Sequence, residues 1–473
     1  KWLYFLLLQS LLLVSSCKTN GEIIDNGNST LKDSATLYVT TGDQSMLFHQ
    51  QKLSFNNTLN TSTFTLTIDP TVRYQQLDGF GAAFTGSTCY NLMKMPAEKR
   101  TALLKDTFDP IAGMGYSYIR ISIGCSDFSL SEYTYCDTPG IQNFAIQKEE
   151  KEYIFPILKE ILKINPEIKI LASPWTPPRW MKVNNLTDLQ PFNSWTSGQL
   201  NPAFYQDYAT YFVKYIKAME AEGFKIEAIT IQNEPLNRGN SASMFMTWQE
   251  QRDFIKTALG PKFSENGITT KILAYDHNYD YDVGKPDTGD QKQYPTNIYA
   301  DANAAKYIDG AAYHAYGGDK RELLNIHNAN PGKNLYFTEI SIGLWNYNFR
   351  EDLMWNVREV GIGTINNWSK AVIVWNFMLD ENHAPFRPGG CNECLGAVTV
   401  SSTYNSYSKN SHYYDIAHLS KVIRPGAFRI KITGTGKDGL YYTAVENPDG
   451  SFGVVLLNDT DFKQNIQITD TKS

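Results

Sequence analysis

Polar and apolar positions alternate from residue 34 to residue 74, as in Thr36-Leu37-Tyr38-Val39-Thr40 and Thr63-Phe64-Thr65-Leu66-Thr67-Ile68. Successive strand side chains point to opposite faces, so this alternation predicts a half-solvated sheet. From about residue 76 the pattern changes to short apolar runs separated by longer segments of helical period. Strands are predicted at Tyr118 to Ser122, Ile168 to Ser173, Ala228 to Ile231, Lys271 to Tyr275, Gly310 to His314, Asn334 to Glu339 and Ala371 to Asn376. Helices are predicted at Lys151 to Lys163, Pro202 to Glu222 with Gly223 as C-cap, and Trp248 to Leu259. After residue 420 strand patterns return at Arg429 to Ile432, Tyr441 to Val445 and Gly453 to Asn458.

Strands that alternate with helices form parallel sheets. The expected architecture is α/β: a (β/α)8 TIM barrel over residues 75–420, with an attached β-sandwich built from residues 34–74 and 421–473. The sandwich is expected to need a further strand beyond residue 473. The Gly-rich run Asp78-Gly79-Phe80-Gly81-Ala82-Ala83 lacks the spacing of a phosphate-binding loop and reads as close backbone packing at a barrel rim.

Two predicted strands end in glutamate. Ile229-Thr230-Ile231-Gln232-Asn233-Glu234-Pro235 closes on a proline, which restricts Glu234 to extended backbone and stops the strand. Asn334-Leu335-Tyr336-Phe337-Thr338-Glu339 repeats the arrangement. Barrel chemistry sits at the carboxyl ends of the strands, and at roughly 30–40 residues per βα unit the interval from 234 to 339 spans about three units. This places the pair on strands four and seven. Glycosidic bond cleavage uses two carboxyl groups, one as proton donor and one on the far face of the sugar. Asn233 offers an amide to a sugar 2-OH, and Arg120 offers a charge to keep Glu339 ionised.

Composition narrows the class. The 473 residues exceed what one minimal core requires. With 43 Lys+Arg against 49 Asp+Glu there is no basic surplus for a nucleic-acid partner. Aromatics make up 13% of the chain, and part of that excess suits sugar binding.

Lys1 followed by the apolar run Trp2 to Val14 and then Ser15-Ser16-Cys17 reads as an export signal over residues 1–17, too short to span a bilayer. Val14-Ser15-Ser16-Cys17 resembles a bacterial lipobox, which makes Cys17 the expected lipidation site. Residues 18–33 read as a flexible tether. The expected location is outside the cytoplasm, held to the bacterial outer membrane only by that lipid. An exported chain permits disulfides among Cys89, Cys125, Cys136, Cys391 and Cys394. Cys391-Asn392-Glu393-Cys394 lacks the two further ligands of a zinc site and reads as a local disulfide or two nearby thiols; Cys125–Cys136 is a further candidate pair.

The chain resembles glycoside hydrolase family 30, the family of lysosomal glucosylceramidase and microbial β-1,6-glucanases. The resemblance rests on Gly79-Phe80-Gly81, Arg120, Cys125-Ser126-Asp127-Phe128-Ser129, Tyr133-Thr134-Tyr135 and Leu171-Ala172-Ser173-Pro174-Trp175-Thr176. It continues through Asn233-Glu234-Pro235, Gln251-Arg252-Asp253-Phe254-Ile255, His314-Ala315-Tyr316, Thr338-Glu339 and Trp375-Asn376. It implies a retaining mechanism, with Glu234 as acid/base and Glu339 as nucleophile. It also implies that Asp127, Trp175, Asn233 and Trp375 surround the sugar, with Arg120, His314, Tyr316 and Asn376 nearby and His314 as a supporting residue. No metal or other cofactor is implied.

The chain departs from many relatives after the last barrel strand. It carries Asn382-His383-Ala384-Pro385-Phe386-Arg387-Pro388 ahead of the Cys391/Cys394 loop. The expected substrate is a β-linked glucan or glucoside, with β-1,6-glucan preferred. Glucosylceramidase or broad β-glucosidase activity is the nearest alternative, and a non-catalytic glycan-binding lipoprotein is the alternative of another class.

Overall fold

The computed structural model describes residues 34–55, 64–280, 291–434 and 438–471. The export signal, Cys17 and the tether lie outside the described residues. Among the described residues no helix is long and apolar enough to cross a membrane.

Eight parallel strands form the central sheet: β1 (Gly79–Ala82), β2 (Tyr118–Ser122), β3 (Lys169–Ser173), β4 (Ala228–Thr230), β5 (Lys271–Asn278), β6 (Gly310–His314), β7 (Asn334–Glu339) and β8 (Ser369–Val374). Each pairs with its sequence neighbour, β8 returns to β1 through Ala371↔Gly79 to Val374↔Ala82, and a parallel bridge between Ala83 and Arg120 closes the ring. The Gly-rich run is thus the first barrel strand. A Cβ on Gly81 would lie 1.8 Å from the Tyr118 carbonyl oxygen, so glycine permits this closure.

The barrel interior is built in layers, because residues two apart on a strand share a face. Tyr118, Leu171, Ala228, Leu273, Ala312, Tyr336, Ala371 and Ile373 form one apolar cluster filling the middle. Below it, at the amino-terminal end, Asp78 faces Lys169 at 2.9 Å, with Lys271 and Lys370 each at 3.8 Å. A large second core lies between the strands and the surrounding helices.

The attached domain is a five-stranded sheet in the order Phe452–Asn458, Leu440–Glu446, Phe428–Gly434, Phe64–Gln76, Ile466–Asp470. Phe64–Gln76 runs antiparallel to Phe428–Gly434 and parallel to Ile466–Asp470, so segments on either side of the barrel meet in one sheet, as expected. The strands Ser34–Val39 and His49–Ser54 do not join it. They form their own hairpin, whose Tyr38 and Phe48 rings stack at 4.9 Å, with Phe48 in turn against His418. The alternation of residues 34–54 identifies strands but not their partners, and the aromatic contact to the barrel's last helix decides the placement.

Cys391 and Cys394 form a disulfide with Cα atoms 5.6 Å apart. Cys125 and Cys136 are separate buried thiols, as is Cys89.

Candidate active site

One step toward the carboxyl ends from the apolar layer, the inward positions become polar. Tyr118 gives way to Arg120, Leu171 to Ser173, Ala228 to Thr230, Ala312 to His314 and Tyr336 to Thr338, all buried. On β5 the register shifts between Tyr275 and His277, and Tyr275 and Asp276 have φ of 73° and 71°. This irregularity brings Asp276 into the network where regular alternation would present Tyr275.

Asp276 is the hub. Its carboxylate accepts from Arg120 Nη2 at 2.8 Å, Thr230 Oγ1 at 2.7 Å, Thr338 Oγ1 at 2.7 Å and His314 Nε2 at 3.0 Å. Arg120 also donates to Ser173 Oγ at 3.2 Å, to Asn233 Oδ1 at 2.7 Å and, through Nη1, to Glu339 Oε2. Tyr316 OH donates to Glu339 Oε1 at 3.0 Å. Glu234 Oε1 lies 3.2 Å from His314 Nδ1, and Glu234 Oε2 accepts from Asn237 Nδ2 at 2.7 Å. Ligand atoms of Glu234, His314 and Glu339 all lie within 4.8 Å of one another, so the two carboxyl groups face each other at close range.

The strand carrying Glu234 ends earlier than expected, at Thr230, and Glu234 is not extended. Its φ is 46°, in the left-handed region, and its N–H donates to Asp276 O at 2.9 Å. Proline disfavours the right-handed helical region for the preceding residue; here tertiary hydrogen bonding selects the left-handed one. Asn376, beyond β8, has φ of 50°. Strained backbone of this kind concentrates where side chains must be aimed rather than merely packed.

The predicted sugar-binding residues line the same end. Trp175 and Trp375 stack with ring centroids 5.3 Å apart, and the Arg120 guanidinium lies 5.1 Å and 5.6 Å from their rings. Asn376 Oδ1 accepts from Thr85 Oγ1 at 2.8 Å. Asp127 Oδ1, Trp175 Nε1 and Asn376 Nδ2 are buried polar atoms without a hydrogen-bond partner among the described residues. Buried polar groups are rarely left unpaired in a native interior, and three beside a carboxylate pair suit recognition of a polyhydroxylated ligand.

Burial and neighbouring charges act differently on each group. Burial opposes the charged form of Asp276, but the charges of Arg120 and His314 and the converging hydrogen bonds hold it firmly ionised. Burial also disfavours charged His314, yet Glu339, Asp276 and Glu234 outweigh it and raise the imidazole to about 9. Burial pushes Glu234 up, and the His314 hydrogen bond with the charges of His277 and His314 brings it down to about 2. His314 and Glu234 therefore hold one proton between Nδ1 and Oε1 at neutral pH. Burial and the Glu234 charge push Glu339 upward, while His314 and Arg120 pull against them. Burial and the charges of Glu339 and Glu234 push Asp127 well above the usual carboxylate range.

All ten residues predicted from sequence gather at this end of the barrel. His314 is closer to the reaction than expected, since it touches Glu234 directly. Asp276, Ser173, Thr230, Thr338 and Asn237 were missed. Asp276 carries the signal that exposed the glutamates, an acidic residue at the end of an apolar strand, but its entry depends on the β5 irregularity. Glu234, His314 and Glu339 also have the atom types of a cation site, although Arg120 and protonated His314 oppose a further positive charge there.

The chain matches the glycosyl hydrolase family 30 TIM-barrel domain over residues 77–423 and the family's beta sandwich domain over residues 426–473. It belongs to glycosyl hydrolase family 30. It is 35% identical to an endo-1,6-beta-D-glucanase of Neurospora crassa over 428 residues, 86% of this chain and 84% of that protein. It is 29% identical to the lysosomal acid glucosylceramidase of Mus musculus, over 86% of this chain and 79% of that one. Among solved structures it is similar to the endo-beta1,6-glucanase BT3312, with a TM-score of 0.90 and 56% identity over 93% of this chain and 95% of that chain.

Proposed function

We propose that this family 30 enzyme is a retaining endo-β-1,6-glucanase in which Glu339 is the nucleophile and Glu234 the acid/base. The observation that carries the chemistry is the close approach of these two carboxyl groups, each held by a different donor set. Retaining enzymes set their carboxyl groups about 5–5.5 Å apart, whereas inverting ones leave room for a water. The linkage rests on the likeness to endo-1,6-glucanases in both sequence and structure.

In the first step a Glu339 carboxylate oxygen attacks the anomeric carbon as its bond to the leaving oxygen breaks. Arg120 and Tyr316 both donate to Glu339, favouring the ionised form a nucleophile requires. The leaving oxygen takes the proton held by the Glu234–His314 pair, delivered from Glu234. In the second step Glu234 accepts a proton from water, the water oxygen bonds the anomeric carbon, and Glu339 departs. Asn233, oriented by Arg120 through its amide oxygen, presents its NH2 to the sugar 2-OH. Asp127, Trp175 and Asn376 bind the remaining hydroxyls of the glucosyl unit.

The test is product analysis on β-1,6-glucan and on an aryl β-glucoside, with wild type and Glu339→Gln. Short β-1,6-linked oligomers from wild type alone support the reading. Turnover restricted to the aryl glucoside would move it to an exo-glucosidase or glucosylceramidase. Export and lipid attachment at Cys17 belong to the same reading, supported by the Val14-Ser15-Ser16-Cys17 motif. Cys17→Ser should move the protein from the membrane fraction to the soluble one.

A further inference from the structure

The segment after β8 crosses the open end of the barrel as a strap. Its start is tied to the helix after β1: Ser87 Oγ donates to Pro385 O at 2.5 Å and Asn91 Nδ2 to Ala384 O at 2.9 Å. Its middle lies on the β2 loop, where Arg387 N donates to Asp127 O at 2.7 Å. The Arg387 guanidinium reaches Leu130 O at 2.9 Å and Glu132 Oε2 at 2.6 Å. Gly389 approaches the β4 loop, where an added Cβ would stand 3.4 Å from the Ser241 Cβ. Its end pairs with the β7 loop through Gly343↔Cys394 and Ile342↔Leu395, with Leu344 N donating to Glu393 O at 2.8 Å. The strap thus joins the loops that carry Asp127 and Glu234 to the loop that follows Glu339.

Little apolar burial holds the stretch in place. From Pro388 through Glu393 the residues are exposed or half-buried. The Cys391–Cys394 disulfide closes this stretch at the Cys394 pairing. On its other side Gly390 is packed so tightly that a Cβ would meet the Asp127 Cβ at 3.0 Å and the Asp127 carbonyl oxygen at 3.1 Å. Asp127 is itself buried, with Oδ1 left for a ligand.

We propose that the Cys391–Cys394 cross-link is a positioning device for sugar binding: it holds the strap across the barrel mouth and thereby holds Asp127 in place. This rests on the reading of Asp127 as a ligand of the glucosyl unit. Severing the cross-link leaves the fold and the Glu234/Glu339 pair intact but frees the backbone that Asp127 leans on. The consequence is weaker ground-state binding rather than slower chemistry. A dithiol can sever it by transferring two electrons and two protons, yielding two thiols and its own cyclic disulfide. Cys89, Cys125 and Cys136 are already thiols and are not altered by that treatment.

The test compares oxidised wild type, dithiothreitol-reduced wild type, the Cys391→Ser/Cys394→Ser double variant and Gly390→Ala. Steady-state kinetics are measured on short β-1,6-linked gluco-oligosaccharides, and thermal midpoints are measured alongside. The expected result is a KM raised about tenfold with kcat within about twofold in all three perturbed forms, restored by reoxidation only in wild type. Gly390→Ala displaces Asp127 with the disulfide intact, so it separates positioning from the cross-link itself. A disulfide that serves stability alone would lower the thermal midpoint and leave KM unchanged, which overturns the proposal. So would equal loss of kcat and kcat/KM. Titration of a glucose-configured iminosugar by tryptophan fluorescence gives a readout that needs no turnover. If wild type bound the iminosugar but did not cleave β-1,6-glucan, the linkage reading would fall while the strap stayed testable. If it bound neither, both would fall.

Discussion

At the residue scale the site works by sharing protons among more carboxyl groups than it has cations. Arg120 and His314 face Asp276, Glu234 and Glu339, and Asp276 takes the largest share of their hydrogen bonds. This predicts a bell-shaped pH profile for kcat/KM. Glu339 must be ionised, and its carboxyl is raised, so activity is lost on acidification at a pH above the ordinary glutamate value. The Glu234–His314 pair must keep its proton, so activity is lost again as pH rises through about 9. Asp276→Asn removes a negative charge beside the imidazole and should move the alkaline limb downward, as pH-rate profiles of the two proteins would show. Glu339→Gln should lower kcat by about 10⁴-fold or more, with the far-UV circular dichroism spectrum unchanged.

At the scale of the element, five of the barrel strands have two duties on one face. The first inward position fills the barrel with Tyr118, Leu171, Ala228, Ala312 or Tyr336, and the next carries the chemistry; on β5 Leu273 fills the barrel and Asp276 enters only through the register shift. The strand period makes these inseparable: a one-residue slip would send Arg120 outward and unseat the filling residue with it. The amino-terminal end, with Asp78 facing Lys169, Lys271 and Lys370, carries none of the site residues. Asp78→Asn should therefore cost about 2 kcal/mol in urea denaturation through the lost Lys169 contact, with kcat/KM unaltered. Gly81→Ala places a methyl against the Tyr118 carbonyl and should cost about 1–3 kcal/mol by the same measurement, through forced separation of β1 and β2.

At the scale of the molecule, the chain visits the attached sheet twice. Phe64–Gln76 precedes the barrel and its partners follow it, so the sheet completes only when both barrel ends are together. The join combines apolar packing of Val445 and Val455 with specific polar contacts. Gln75 Nε2 donates to Ile365 O at 2.6 Å and Ser369 O at 3.1 Å, Arg429 Nε donates to Gln75 Oε1 at 2.8 Å, and Asn366 Nδ2 donates to Tyr442 O at 3.0 Å. Truncation after residue 425 would leave Phe64–Gln76 as an unpaired edge and should yield aggregated protein, read by size-exclusion chromatography, rather than a free barrel.

Periodicity and local chemistry alone determined the α/β alternation, the position of Glu234 and Glu339 at the carboxyl-end rim of the barrel, and the separation of the sheet segments from the barrel. Those properties repeat every two or four residues, or follow from proline and glycine at a single position, and so are visible without contacts. Tertiary structure decided the rest. The β5 irregularity turned Asp276 into the hub, and a hydrogen bond to its carbonyl set the left-handed backbone of Glu234. The hairpin of residues 34–54 took its place from aromatic contacts with His418 rather than from its own pattern. The strap acquired its role because loops distant in sequence converge beneath it. Each of these depends on which segments meet in space, and a one-dimensional pattern carries no record of that.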